Sequence, residues 1–113
     1  MRNEPRARAA MNLKGTLPVL ILQVLSEGEK HGYAIAQDIK QRSRGVLDFK
    51  EGSLYPALHA QEKKGLIQSF DRTHDGRHRR HYRLTSKGKE TLAAHRAEWR
   101  RLSNAVTQIL GPA

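Results

Sequence analysis

The sequence predicts a mainly α-helical domain with a small β-hairpin, followed by a long C-terminal helix. Three observations predict this fold class. Apolar residues recur at helical spacing in four segments, and two short strand-like segments flank an Asp-Gly pair suited to a tight hairpin turn. The last helical segment continues for about 25 residues, or about 38 Å, which is longer than so small a domain requires.

Composition limits the classes of function. The 113 residues are enough for one domain, and 21 lysines and arginines against 11 acidic residues give a formal charge of +10. Such an excess attracts nucleic acid or anionic lipid, and nucleic acid is the leading partner. Cysteine is absent, which excludes disulfides and thiolate metal sites and favours the cytoplasm. No signal peptide or membrane span is predicted, because the longest apolar run, residues 17–22, is far below the roughly 20 residues needed.

The first part of the chain predicts a tail and two helices. Residues 1–12 carry three arginines and little to bury, so we expect a flexible basic tail. Thr16 is the predicted N-cap of the first helix, with Pro18 in its first turn. A second helix is expected over residues 32–43, capped by His31. The buried stripe of the first helix is predicted to contain Leu17, Leu20, Ile21, Val24 and Leu25.

The central segment, residues 51–65, predicts a helix with one apolar and one polar edge. Ser53 is its expected N-cap, because Pro56 belongs in a first turn. Leu54 and Leu58 lie four residues apart and predict the buried face. The predicted outward row is Tyr55, His59 and Lys63. An ordinary solvated helix face is the alternative explanation of this row.

A basic hairpin follows this helix. Residues 66–71 and 78–84, on either side of the Asp75-Gly76 turn, have the alternating side-chain pattern of strands. Residues 46–49 predict a further short strand. Packing does not explain the arginines that crowd the hairpin tip, so we interpret them as groups that bind phosphate. These arginines are Arg77, Arg79 and Arg80, to which we add Arg72.

The long last helix, capped by Thr85, carries an apolar seam at the a and d positions of a heptad. The seam predicts pairing with a second copy of the chain. The alternative is that it packs entirely on its own domain. The residues of the seam are Leu92, His95, Trp99, Leu102, Val106 and Ile109.

The predicted elements follow the order of a winged helix-turn-helix, which is two helices, a short strand, a third helix, a two-stranded wing and a long helix. In that fold the third helix enters the major groove of double-stranded DNA, so His59 and Lys63 are predicted contacts together with the wing arginines. We predict no enzyme, because no pocket-forming segment is left. We also predict no metal or cofactor, since the histidines and aspartates of residues 71–81 do not share one strand face and arginines surround them.

Several motifs in order resemble the PadR family of bacterial transcriptional regulators. The resemblance covers about residues 13–110. The matching motifs are Lys14-Gly15-Thr16-Leu17, His31-Gly32-Tyr33, Gly52-Ser53-Leu54-Tyr55-Pro56-Ala57-Leu58, Gly65-Leu66-Ile67 and Tyr82-Arg83-Leu84-Thr85. Two departures are Gln61, where the family continues the apolar face, and Lys50-Glu51, where a Ser-Pro pair is common.

The resemblance implies a homodimer that binds a two-fold DNA operator, usually as a repressor released by a small molecule. It implies a DNA-binding domain over residues 13–84 and a dimerisation helix over residues 85–110. Its contacts, carried over by position, comprise the recognition-helix residues Ser53 and Tyr55, the backbone-positioning residues Lys14 and Tyr33, and the wing residues Arg79 and Arg80.

Trp99 is the chain's one tryptophan and lies in the middle of the seam. In the family an aromatic residue near the dimer axis can line a pocket for flat or phenolic ligands. Trp99 is therefore a candidate effector contact, and the alternative is that it only fills the interface. The sequence also fits two other functions, a non-specific architectural nucleic-acid-binding protein and a module whose long helix binds a different partner.

Overall fold

The structure is a computed structural model that describes residues 5–111, with side chains from residue 15 onward. Four helices and a three-stranded antiparallel sheet of order β1-β3-β2 confirm the predicted fold class. The elements are α1 Pro5–Ser26, β1 Lys30–His31, α2 Gly32–Arg42, α3 Glu51–Lys63, β2 Ile67–His74, β3 Arg77–Leu84 and α4 Ser86–Leu110. None of the helices described is both long and apolar enough to cross a membrane.

The core lies between α1, α2, α3, the base of the sheet and the first turns of α4. Its centre is formed by Ile21, Leu22 and Ile35, together with Leu54 and Leu58 from the inner side of α3. The remaining buried apolar residues are Leu17, Val24, Leu25, Ile39, Leu66, Ile67, Tyr82 and Leu92. Most of the stripe predicted for the first helix is therefore buried.

The first helix begins earlier than predicted. It starts at Pro5, so Thr16 lies inside the helix and the assignment of Thr16 as the N-cap is wrong. Alanine, arginine, methionine and leucine dominate residues 6–13, and these strong helix formers extend the helix towards the N-terminus. The predicted tail overlaps α1 from Pro5, while residues 1–4 lie outside the described residues.

The third strand is not the predicted one. Residues 46–49 form no strand, and β1 instead pairs with β3, with Lys30 opposite Tyr82 and His31 opposite His81. Both sides of β3 are then occupied, because β2 pairs along its other edge. The segment after α2 turns through a left-handed Arg44-Gly45 pair and contributes partly buried side chains to the core.

Helix α3 begins at Glu51, and its N-cap is Lys50, which makes no side-chain capping bond. The backbone N–H groups of Ser53 and Leu54 donate to the carbonyl oxygen of Lys50 at 3.0 and 2.9 Å. The prediction of Ser53 as N-cap is therefore wrong, and Ser53 lies within the first turn. The carboxylate of Glu51 stands in that turn, where it is favourable against the helix dipole.

The hairpin and the cap of α4 follow the prediction. Asp75 and Gly76 have φ values of 53° and 75°, as a two-residue type I′ turn requires, and they join β2 directly to β3. The backbone N–H of Gly88 donates to Oγ1 of Thr85 at 3.0 Å, so Thr85 caps α4.

Candidate nucleic-acid interface

The outward row of α3 lies opposite its core face. Leu54 and Leu58 are buried, whereas Tyr55, His59 and Lys63 are exposed, with Tyr55 at 41%. The inward face continues with Gln61, which is 4% exposed despite its polarity. The helix therefore presents aromatic, imidazole and ammonium groups to the outside, a set that can contact base edges and phosphates.

The position of Tyr55 depends on Gly32, the first residue of α2. A Cβ atom at Gly32 would lie 2.9 Å from Cε1 and 3.0 Å from Oη of Tyr55. The tyrosine ring therefore lies directly over the start of α2, where only glycine leaves room for it. The motif His31-Gly32-Tyr33 marks this position in the sequence, but no local pattern assigns the role to Gly32.

His31 links the start of α2 to the hairpin. Its Nδ1 accepts a hydrogen bond from the backbone N–H of Ala34 at 3.2 Å, so the prediction that His31 caps α2 is confirmed. Its Nε2 lies 2.9 Å from Nη1 of Arg79. Burial lowers the pKa of His31, and the nearby Arg79, His81 and Lys30 lower it further. The lowered pKa favours the neutral ring, which accepts a hydrogen bond through one nitrogen at a time.

The register of the hairpin separates the predicted wing contacts. Asp71 pairs with Arg80, and these two lie on the same face as the buried Tyr82. Arg72 pairs with Arg79 on the opposite face, which also carries Arg77. The Ser69 hydroxyl, on the face of Tyr82, donates to the Glu62 carboxylate of α3. Arg80 is thus on the α3 side of the sheet, and the other three arginines are on the far side.

Residues 21–94 match the family described as Transcriptional regulator PadR-like family. The chain belongs to this family. Among its relatives, Transcriptional regulator Rv3488 of Mycobacterium tuberculosis is 36% identical over 91 residues, which make up 80% of this chain and 79% of that protein. The predicted resemblance is therefore confirmed, and a PadR family member is a transcriptional regulator rather than an enzyme.

Solved structures of PadR regulators share the fold. A PadR family transcription regulator from Clostridium difficile has a TM-score of 0.75 at 35% identity, covering 85% of this chain and 99% of that one. A PadR-like transcriptional regulator from Bacillus cereus has a TM-score of 0.77 at 30% identity, covering 89% of this chain and 97% of that one. PadR regulators bind DNA, generally as dimers.

The remaining DNA contacts expected of a PadR protein differ in their exposure and in the side chains that they already contact. Tyr33 is exposed on the first turn of α2, where its hydroxyl accepts a hydrogen bond from the Gln37 side chain. Ser53 is partly buried. Arg72 is bound to Glu29, so a phosphate would have to compete for it. The side chain of Lys14 lies outside the described residues.

The heptad seam of α4 divides into two parts. Leu92 is buried in the core and His95 is partly buried, so the beginning of the seam packs on its own domain. From Trp99 onward the seam is exposed, at 54% for Trp99 and 84% for Ile109. Leu102 and Val106, between them, are exposed as well.

The exposed part of α4 borders a groove of about 1640 Å³ that α1 lines on the other side. Thr16, Pro18 and Val19 of α1 face Trp99 and Leu102 of α4 across this groove.

In the part of the chain with described side chains, His, Asp and Glu residues form no group of three or more that could hold a metal ion.

Proposed function

We propose that this PadR protein is a homodimeric repressor that binds a two-fold symmetric DNA operator and is released by a small aromatic, phenolic or drug-like effector. The observation that carries the proposal is the exposed row of Tyr55, His59 and Lys63 on a helix that is anchored by its opposite face and lies beside a basic hairpin. A helix in this arrangement fits the major groove while a wing grips the flanking backbone.

In the proposed complex, α3 contacts bases and the arginines contact phosphates. Tyr55, His59 and Ser53 carry groups that can hydrogen-bond base edges. Lys63, Arg77, Arg79 and Arg80 neutralise phosphates and release counterions, as do Lys14 and Arg72 in this proposal. Tyr33, at the exposed start of α2, orients the domain on the backbone. Residues 13–84 would form the DNA-binding unit, which works in the cytoplasm where operators lie.

The proposed dimer forms through residues 85–110. An exposed apolar row at heptad spacing favours pairing of α4 with a second copy, since Trp99, Leu102 and Val106 lie outside their own core. Leu92 and His95 would form the end of the seam nearest the domain, and Ile109 the far end. Two copies joined in this way would present two α3 helices to successive major grooves.

Selection of binding sites from a random duplex library tests sequence-specific binding. A dimeric operator should have half-sites related by two-fold symmetry and about one helical turn, roughly 34 Å, apart. Its affinity should exceed that for random duplex by about 10³-fold or more. Absence of any preferred sequence would instead support a non-specific architectural protein, the second candidate, which the charge of +10 favours.

Two substitutions separate the proposed roles. Tyr55→Ala should cost more affinity on the selected operator than on random duplex, because a base contact is lost. Arg79→Ala should weaken binding to all duplexes and reduce the slope of log affinity against log salt by about 1. Equal losses on both duplexes would remove Tyr55 from the base contacts.

The proposed effector site consists of Trp99 and its symmetry mate in the dimer. Trp99 is half-exposed and borders the groove between α1 and α4, which could admit a flat molecule. Since the chain has one tryptophan, titration with planar aromatics should lower its fluorescence and release the operator. Unchanged fluorescence at saturating concentrations would leave Trp99 as an interface residue only.

A further inference from the structure

The outer sheet face is the face of the sheet that points away from the core. Cross-strand register places Phe70 opposite His81, and His81 is also opposite His31 of β1. The alternate positions of the same strands carry Ile67 and Tyr82, which are buried. The outer sheet face therefore consists of His31, Gln68, Phe70, Arg72, His74, Arg77, Arg79, His81 and Arg83.

Planar side chains contact one another across this face. The guanidinium carbon of Arg83 lies 4.4 Å from the centre of the Phe70 ring, and that of Arg72 lies 5.2 Å from it. The His81 ring lies 5.7 Å from the Phe70 ring at a tilt of 33°, and 5.5 Å from the His31 ring. The result is a layer of π-systems and cations on a sheet surface.

The charge of the layer has one sign. Within β1, β2 and β3, the outer sheet face carries arginines on both long strands and no carboxylate, because Asp71 belongs to the other face. Glu29, which precedes β1, pairs with Arg72. Arg83 and Arg79 are exposed, whereas Phe70 and His81 are partly buried among their planar neighbours. A ligand of this face should be anionic and offer flat groups.

We propose that the outer sheet face binds single-stranded nucleic acid, independently of duplex recognition by α3. Unpaired bases stack on aromatic rings and guanidinium planes, while arginines track the phosphates. Duplex DNA cannot use the stacking groups, because its base faces are already covered. Strands of eight residues make the face about 25 Å long, which accommodates about four nucleotides.

The outer sheet face shares Arg72, Arg77 and Arg79 with the proposed operator contacts, but its stacking centre of Phe70, His81 and Arg83 lies apart from them. Helix α3 contacts the sheet on the opposite side, where Glu62 binds Ser69. Phe70, His81 and Arg83 also lie away from the Asp75-Gly76 turn, towards the base of the hairpin. A wing that served only duplex phosphates would need cations at its tip, and it would not require a phenylalanine stacked with arginines on its outer face.

Fluorescence anisotropy of labelled (dT)12 and (U)12 with the full chain tests the proposal. Arg83→Ser should weaken binding of the preferred oligomer about tenfold, and Phe70→Leu, which retains apolar bulk but not the flat ring, should have a similar effect. The matched control is Arg80→Ser, the same loss of charge on the same strand but on the α3 side. It should change oligomer affinity by less than about twofold, and thermal melts should show that all three variants are folded.

Three results would overturn the proposal. These are no binding of either oligomer at low salt, equal losses for Arg80→Ser and Arg83→Ser, and displacement of the bound oligomer by a stoichiometric duplex operator. Preference for (U)12 would identify RNA as the ligand, and preference for (dT)12 would identify single-stranded DNA. Duplex affinity is measured separately on the same variants, so failure here leaves the proposed repressor function untouched.

Discussion

At Gly88, the absence of a side chain allows α4 to approach the sheet. A Cβ atom there would lie 2.1 Å from the backbone carbonyl oxygen of Leu66 and 2.6 Å from Cδ1 of Leu84. The backbone oxygen cannot move aside without disturbing the bond that it accepts from the N–H of Thr85 at 3.1 Å. A glycine in the first turn of α4 is therefore required by packing.

We predict that Gly88→Ala lowers the free energy of unfolding by about 1–3 kcal/mol, because the methyl group overpacks the junction. Chemical denaturation measures this change. Gly52→Ala in α3 is the control, since a Cβ at Gly52 meets no atom within 4 Å. Equal stability of the Gly88→Ala variant and the parent would show that the helix can shift at no cost.

Gly32 and Tyr55 form a second close contact, but here the neighbouring group is the end of a side chain. Gly32→Ala should therefore leave stability nearly unchanged while displacing the Tyr55 ring. If Tyr55 contacts the operator as proposed, affinity for the selected duplex should fall about five- to tenfold. In the double variant with Tyr55→Ala, Gly32→Ala should have almost no additional effect, because the two changes share one mechanism. Additive losses in a double-mutant cycle would contradict this coupling.

At the scale of elements, the start of α2 depends on the protonation of His31. A ring nitrogen accepts a hydrogen bond only when it is unprotonated, so a neutral imidazole can accept from either Ala34 or Arg79, and an imidazolium accepts from neither. Protonation therefore removes the cap of α2 and repels the adjacent arginine. His31 therefore couples α2, the helix against which the Tyr55 ring packs, to the hairpin.

We predict that stability decreases as the pH falls below 6.5, the ordinary pKa of histidine. Because the folded-state pKa of His31 is lowered, the unfolded chain takes up the proton first, and the contribution is fully present only above that value. His31→Asn preserves a capping side chain without titration. The variant's stability should change less than that of the parent between pH 7.5 and 5 in thermal melts, whereas parallel curves would exclude His31 as the titrating group.

An ion pair also joins two elements. Arg42 of α2 lies 2.7 Å from Glu27, just after α1, and its hydrogen bond together with one from Gln23 lowers the pKa of Glu27 to about 2. Both side chains are largely exposed, so solvent screening limits the pair to about 0–1 kcal/mol. The pair positions the ends of α1 and α2 more than it stabilises the fold.

For the whole molecule, assembly decides whether two α3 helices can act together. We predict that Leu102→Glu, at a d position of the exposed seam, weakens the proposed dimer about 100-fold or more, because two carboxylates would meet in an apolar interface. Sedimentation velocity measures the change. The control is Asn104→Glu, which adds the same charge on the opposite side of α4. A parent chain that is monomeric at micromolar concentration would contradict the dimer itself.

The sequence alone determined the kinds of element and several of their ends, because these depend on local chemistry. The spacing of Leu54 and Leu58, the Asp75-Gly76 turn, and the caps at His31 and Thr85 involve residues only a few positions apart, and each prediction agrees with the structure. The helix starts assigned to Thr16 and Ser53 were wrong, because both helices begin before these residues, at Pro5 and Glu51.

Only the tertiary structure decided how distant segments combine. It assigned the third strand to Lys30–His31, placed Gly32 under Tyr55, and packed Gly88 against the backbone of Leu66. These features depend on strand register and on contacts between residues more than 20 positions apart, which no local pattern specifies. The outer sheet face arises in the same way, because strand pairing alone brings His31, Phe70 and Arg83 onto one surface.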